Sequence, residues 1–224
     1  MCARSGAFLV PWRAVACVVL GDRSSVVPGF ASLAELTVVV LDGAHGPGRV
    51  LCARLAAAGA VVAIVTVHDG SGALFLSREL MALGWTSLPF RWDPGAASGL
   101  ADLVGDLAGD LGPVDVVVDL ACLEDAAPLP LARTLALAMT GPGRGGRIVQ
   151  LGMEGQEWRT ALVAPRPGLA LDVLVLPDTR AVDPDGFERA LVARVLALLG
   201  LEEQRPARAH PFPVTEATCD RSDL

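Results

Sequence analysis

The sequence predicts an α/β fold on a doubly wound, mostly parallel sheet, and three observations predict it. Short runs of Val, Leu and Ile recur along the chain, they are almost continuously apolar rather than alternating, and segments of helical period lie between them. A strand covered on both faces needs apolar side chains on both faces, so an unbroken run is the mark of a parallel sheet between two helical layers. Strands that alternate with helices imply right-handed crossovers within one sheet.

The strands expected in order are Leu36–Leu41, Val61–Val67, Ser87–Trp92, Val114–Ala121, Arg147–Leu151 and Leu171–Leu176. A helix is expected from the glycines after the first of these through Ala58. Leu100, Leu103, Val104, Leu107 and Leu111 recur at steps of three and four, which places them on one helical face. Phe187, Leu191, Val195 and Leu198 do the same in the last helix, which opens on Asp183 as cap and Pro184 in its first turn and stops at Gly200. Ahead of the first core strand, residues 1–35 form an N-terminal segment in which Val15–Leu20 could add an edge strand and Gly21–Gly29 reads as a loop. Residues 36–200 carry the domain, and the proline-containing stretch 201–224 lacks any period and reads as an extended or mobile tail.

Composition narrows the function. Hydrophobic residues make up 52% of the 224-residue chain and charged residues 19%, far from the polar, highly charged composition of disordered chains. A net charge of −7 without any cluster of basic residues argues against a nucleic-acid surface. The apolar runs are shorter than the ~20 residues a membrane-spanning helix needs, and no leader pattern opens the chain, so the expected location is cytoplasmic. Five scattered cysteines without a C-x-x-C pair read as reduced thiols and give no metal site. All 18 basic residues are Arg, and neither Lys nor Tyr occurs.

The segment Asp42-Gly43-Ala44-His45-Gly46-Pro47-Gly48 joins a strand to a helix. Glycines in such a turn let the backbone approach a pyrophosphate, with helix N–H groups and the helix dipole facing it. Gly43, Gly46 and Gly48 are therefore the candidate nucleotide contacts of a Rossmann-like fold. Their spacing fits neither G-x-G-x-x-G nor G-x-x-x-G-x-G, and Pro47 removes one donor, so a purely structural turn is the competing reading. The second strand ends in His68-Asp69, where a carboxylate for ribose hydroxyls or a cation for a ribose phosphate would stand. The choice between NAD and NADP stays open, as does the choice between NAD(P) and no cofactor.

Several segments together resemble the short-chain dehydrogenase/reductase (SDR) superfamily over roughly residues 36–200. Leu55-Ala56-Ala57-Ala58-Gly59-Ala60-Val61-Val62 looks like that family's first helix entering its second strand, and Phe90-Arg91-Trp92-Asp93 like its third strand ending in an adenine-contacting Asp. Leu111-Gly112-Pro113-Val114-Asp115-Val116-Val117-Val118 is similar to the lead-in to the family's Asn-Asn-Ala-Gly motif, and Gly146-Arg147-Ile148-Val149-Gln150-Leu151 to the strand before its catalytic Ser. The resemblance implies an NAD(P) cofactor held by Gly43, Gly46, Gly48, Asp93 and Ala121.

The departures from that pattern bear on activity. Asp119-Leu120-Ala121-Cys122 replaces Asn-Asn-Ala-Gly, Gly152-Met153 stands where the Ser is expected, and the Tyr-x-x-x-Lys pair is absent because neither residue type occurs. In the resembled family the Tyr protonates the carbonyl oxygen and the Lys lowers its pKa, so no such acid exists here. The segments between Cys122 and Arg147 and between Leu151 and Leu171 are also short for the family's active-site helices. Kept strands with trimmed helices resemble the non-catalytic structural half of polyketide synthase ketoreductases and the degenerate half of two-part ketoacyl reductases.

Asp119 and Cys122, with Glu124, are weak catalytic candidates at the end of the fourth core strand. A cap at Asp119 and a core position for Cys122 are the plainer readings, and Asp93 before Pro94 fits a helix N-cap equally well. The four Trp residues read as packing or interface anchors, with Trp158 and Arg159 the first guess for a protein contact. The expected function is a pseudo-ketoreductase subunit that pairs with an active ketoreductase or with a second copy of itself. A reductase with an unconventional acid and a nucleotide sensor are the alternatives.

Overall fold

The structure, a computed structural model, describes residues 17–19, 33–34, 36–67, 70–93, 99–120, 146–153, 169–176 and 183–201. Among the described residues eleven elements follow one another: β1 (Cys17–Val19), β2 (Thr37–Leu41), α1 (Gly46–Ala57), β3 (Val61–Val67), α2 (Ser71–Ala82), β4 (Ser87–Trp92), α3 (Gly99–Leu111), β5 (Val116–Asp119), β6 (Gly146–Met153), β7 (Leu169–Leu176) and α4 (Pro184–Leu198).

The seven strands form one sheet in the order β1-β7-β6-β5-β2-β3-β4. Every neighbouring pair is parallel except β1 with β7, so Cys17–Val19 is an antiparallel edge strand inside the Val15–Leu20 run. The chain winds outward from β2 to β4, then returns to β5 on the other side of β2. That reversal defines the doubly wound, Rossmann-like class and opens a crevice at the carboxyl ends of β2 and β5.

Burial follows from the apolar runs. Val38, Val40, Val62, Ile64, Val116, Val118 and Val149 face α1, α2 and α4, while Val39, Leu41, Ala63, Val65, Val117 and Ile148 face α3. Each central strand thus buries successive residues on opposite faces, and only continuous hydrophobicity satisfies both. The expected apolar face of α3 is realised by buried Leu103 and Leu107, with Val104 and Leu111 packed at its margin. On α4, Phe187, Leu191 and Val195 enter the core of the opposite layer, and Leu198 packs against it.

Helix boundaries follow their expected chemistry. Asp183 accepts a hydrogen bond from the Gly186 N–H at 2.8 Å, satisfying one of the orphan donors that open α4, and Pro184 occupies the first turn. Gly200, at φ 81°, stops the helix in the left-handed region that glycine adopts without strain. Several strand boundaries differ from expectation, and the first core strand begins at Thr37 rather than Leu36. The fourth core strand begins at Val116 rather than Val114, because Asp115 turns its carboxylate back to the Thr37 N–H at 2.9 Å while its own N–H donates to the Thr37 carbonyl. It ends at Asp119, and Ala121 lies outside the described residues. β6 and β7 each extend beyond the expected ranges, with Gly146 through Met153 paired one for one with Leu169 through Leu176.

Among the described residues no helix is long and apolar enough to cross a membrane.

Candidate functional site

The candidate site lies at the carboxyl ends of the central strands. β2 ends at Leu41, which pairs with Asp119 at the end of β5, and Asp119 pairs in turn with Gln150 on β6. The glycine turn leaves β2 at this level and enters α1, so Gly43, Gly46, Gly48 and Asp119 are brought to one rim of the sheet.

Each glycine in the turn has a different reason to be glycine. A Cβ on Gly43 would lie 2.8 Å from the Cys52 sulfur and 3.1 Å from Val40 Cγ1, so this residue lets α1 close onto β2. A Cβ on Gly48 would lie 2.5 Å from the Asp42 carbonyl oxygen and 2.9 Å from Gly43 Cα, atoms of the backbone itself. Gly46 is the opposite case, at φ 43° with nothing within 4 Å of where its Cβ would stand. The chain is packed tightly at the first and third glycines and open at the second. In a dinucleotide-binding turn those roles are tight turning, close approach of backbone to pyrophosphate, and helix packing. The turn therefore fits a pyrophosphate at Gly46 despite its irregular spacing. The fit is reduced at two neighbouring positions, because Pro47 has no N–H and the Gly48 N–H donates to the His45 carbonyl at 3.0 Å.

Asp42 absorbs the irregularity. It is the one non-glycine residue with positive φ among the described residues, at 59°, and its N–H donates to the Val65 carbonyl at 2.8 Å. Asp tolerates the left-handed region better than most side chains, so the backbone reverses one residue before the first glycine. An Asp-Gly pair at a strand end was the signal for this turn, and counting glycines alone missed it. His45 is the N-cap residue of α1 without a side-chain cap bond, and its imidazole packs against Gly72 at the start of α2.

Cys52 links the turn to the core. Its thiol is buried and donates to the Gly43 carbonyl at 3.5 Å, and burial pushes its pKa well up from the ordinary thiol range, opposed by a hydrogen bond from its own backbone. A neutral, enclosed thiol is a packing group rather than a nucleophile. Peptide-mapped labelling of the native chain with a maleimide should leave Cys52 unmodified, and denaturant should expose it. Because its folded-state pKa lies above the unfolded value of about 8.5, the neutral thiol's contribution to stability is complete below that pH and declines as pH rises above it.

Among the other expected positions, Asp119 is buried at the end of β5. Asp93 follows β4 as a half-exposed carboxylate 3.8 Å from the exposed Arg91 guanidinium. Ala121, Cys122, Glu124, His68, Asp69, Trp12, Trp158 and Arg159 lie outside the described residues, as does the segment from Pro94 to Ser98 that bears on Asp93 as a cap. Of the remaining Trp residues, Trp92 is buried against α3 and Trp85 packs at the margin of the opposite layer. Among the described residues no group of His, Cys, Asp and Glu could hold a metal ion.

Comparison with known proteins finds similarity over part of the chain. A short-chain dehydrogenase from Pseudocercospora fijiensis (strain CIRAD86) is 31% identical over 93 residues, 42% of this chain and 30% of that protein. The chain is SDR-like. No family model matches it. The citronellol catabolism dehydrogenase of Pseudomonas aeruginosa PAO1 is 20% identical, with a TM-score of 0.46 over 55% of this chain and 57% of that one. A promiscuous reductase that catalyses keto-reduction at C1 in lugdunomycin biosynthesis is 21% identical, with a TM-score of 0.43 over 54% and 60% of the two chains. A short-chain dehydrogenase/reductase from Burkholderia xenovorans is 23% identical, with a TM-score of 0.43 over 54% and 57%. The SDR-like chain thus spans under a third of its curated relative and little more than half of these solved chains.

One feature of the SDR-like chain went unread in the sequence. Arg147 on β6 and Asp172 on β7 form a part-buried ion pair with the carboxylate enclosed, Nε to Oδ2 at 2.5 Å, on the face covered by α1 and α4. The signal was present as one charge of each sign in two neighbouring apolar runs. The pair stands below the rim and outside the candidate site.

Proposed function

We propose that this chain is a non-catalytic SDR-like subunit that pairs with an active ketoreductase in acyl or polyketide reduction. One observation carries the reading. The ends of β5 and β6 present Asp119 and Gly152-Met153 where the resemblance calls for Asn and Ser, in a sequence with no Tyr or Lys to complete the set. A ketone bound at this rim would meet neither a phenol to protonate its oxygen nor an ammonium to lower that phenol's pKa. The described residues keep the seven-stranded sheet with α1, α2 and α4 on one face and α3 on the other, which supports a bracing role.

A second reading, a nucleotide sensor, is favoured by the open approach at Gly46. The Gly43–Gly48 turn would hold the pyrophosphate of NAD(P)H, which when bound supplies a hydride. Binding without turnover needs only the turn.

Titrating NADPH and NADH against Trp fluorescence, with Trp92 on β4 as a reporter near the rim, separates these readings. The expected result for the subunit is copurification with a coexpressed full-length SDR ketoreductase and no oxidation of NADPH by the chain alone with a β-ketoacyl thioester. Micromolar nucleotide binding without turnover would move the assignment to the sensor. NADPH oxidation by the purified chain that disappears in Asp119→Asn would overturn both.

A further inference from the structure

Among the described residues, the large apolar side chains left exposed are Val50, Leu74, Phe75, Met81 and Leu83, and all but Val50 belong to α2 or its terminating residue. Phe75 is 59% exposed and Met81 58%. They share a surface because Leu74, Arg78 and Met81 recur at helical steps of four and three, with Phe75 beside them. Glu79, one turn beyond Phe75, pairs with Arg49 of α1 at 2.6 Å, and Leu74 and Met81 lie on the side of α2 away from that pair. Arg78 has no carboxylate within ion-pair distance among the described residues. Bulky apolar groups around an unpaired cation form a contact surface of defined chemistry.

The charge at its centre selects the occupant. A two-fold contact of α2 with α2 of a second copy would set Arg78 close to Arg78. The complementary surface in this chain is the outer face of α3, on the other side of the sheet. There Gly105 and Gly109 are exposed, and a Cβ on either would meet nothing within 4 Å. Asp106 and Asp110 flank them, also exposed and without a cation in ion-pair distance among the described residues. Large side chains and a cation on one helix thus match small residues and carboxylates on another.

We propose that the chain self-associates by seating the Leu74, Phe75, Arg78 and Met81 face of α2 on the Gly105 and Gly109 face of α3 in a second copy, with Arg78 against Asp106 and Asp110. The glycines allow close helix approach, and the charges set register and exclude the α2–α2 arrangement. The contact involves neither the glycine turn nor Asp119, so it is independent of the proposed function.

Sedimentation velocity of the full chain over a range of concentrations, without nucleotide or reductase, tests it. The wild-type chain should associate, and Phe75→Glu should sediment as a monomer with an unchanged far-UV spectrum. Arg78→Glu and Asp106→Arg should each weaken association roughly tenfold, and the two together in one chain should restore most of it. A wild-type monomer at every concentration would overturn the proposal. So would association that Phe75→Glu leaves intact, or a double reversal no stronger than either single change.

Discussion

Replacing Arg147 by Met should destabilise the chain by about 3–5 kcal/mol, the cost of leaving a buried charge without its partner. Asp172 is 3% exposed and Arg147 17%, so neither charge has much water to fall back on. The two residues are diagonal neighbours on adjacent strands, since Arg147 is in register with Ala170 and Asp172 with Val149. The ion pair therefore fixes the β6–β7 register as well as neutralising charge. Asp172 also pairs through its backbone with Val19 of β1, so disturbance at this point reaches the antiparallel edge strand. The double variant Arg147→Met/Asp172→Leu should recover most of the loss, because an apolar pair of similar size removes the desolvation cost together with the attraction. Urea denaturation checks both, read as a shift in midpoint at constant slope. If the single variant does not fold, recovery in the double variant remains measurable. A single-variant loss below about 1 kcal/mol, the range of exposed pairs, would mean that water reaches the carboxylate.

That pair also marks where sequence reading stops. The core strands were legible because parallel strands covered on both faces leave few alternatives to unbroken Val and Leu. Strand ends were less legible because they depend on single hydrogen bonds between residues distant in sequence. Val114 and Asp115 look like strand residues, yet the Asp115 carboxylate reaches across to the Thr37 N–H, 78 positions away. The turn at Asp42 was hidden for a related reason, since its conformation is the choice of one backbone dihedral rather than a pattern. Glycine spacing suggested an irregular phosphate turn, and only geometry separated two glycines needed for packing from one facing open space. At the rim, Gly43, Gly46, Gly48 and Asp119 were named from the sequence and are brought together by it. Asp93 stands apart at the end of β4, half-exposed and beside Arg91.

Gly48→Ala should cost about 3 kcal/mol, the upper range for forcing a methyl group into a packed interior. The atoms a Cβ would strike, the Asp42 carbonyl oxygen at 2.5 Å and Gly43 Cα and carbonyl carbon at 2.9 and 3.1 Å, belong to the backbone of the turn and have no rotamer to change. Relief requires α1 to withdraw from β2. Leu51, Cys52, Leu55 and Ala56 hold α1 in the core, so withdrawal opens apolar contacts along the whole helix. Gly46→Ala is the control within the same turn. Its methyl meets open space, and the cost is the left-handed conformation alone, about 1 kcal/mol. Denaturation of the two variants beside the wild type should rank them in that order. Equal stability of Gly48→Ala and wild type, or a greater loss at Gly46, would show that the turn is held differently from the geometry described. The comparison also bears on function, because Gly46→Ala keeps the fold while placing a side chain where a pyrophosphate would approach. NADPH affinity that falls in Gly46→Ala, with stability changed only by that small strain, would show a turn used for binding. An affinity unaffected by the new methyl group would leave the three glycines to packing and dihedral requirements.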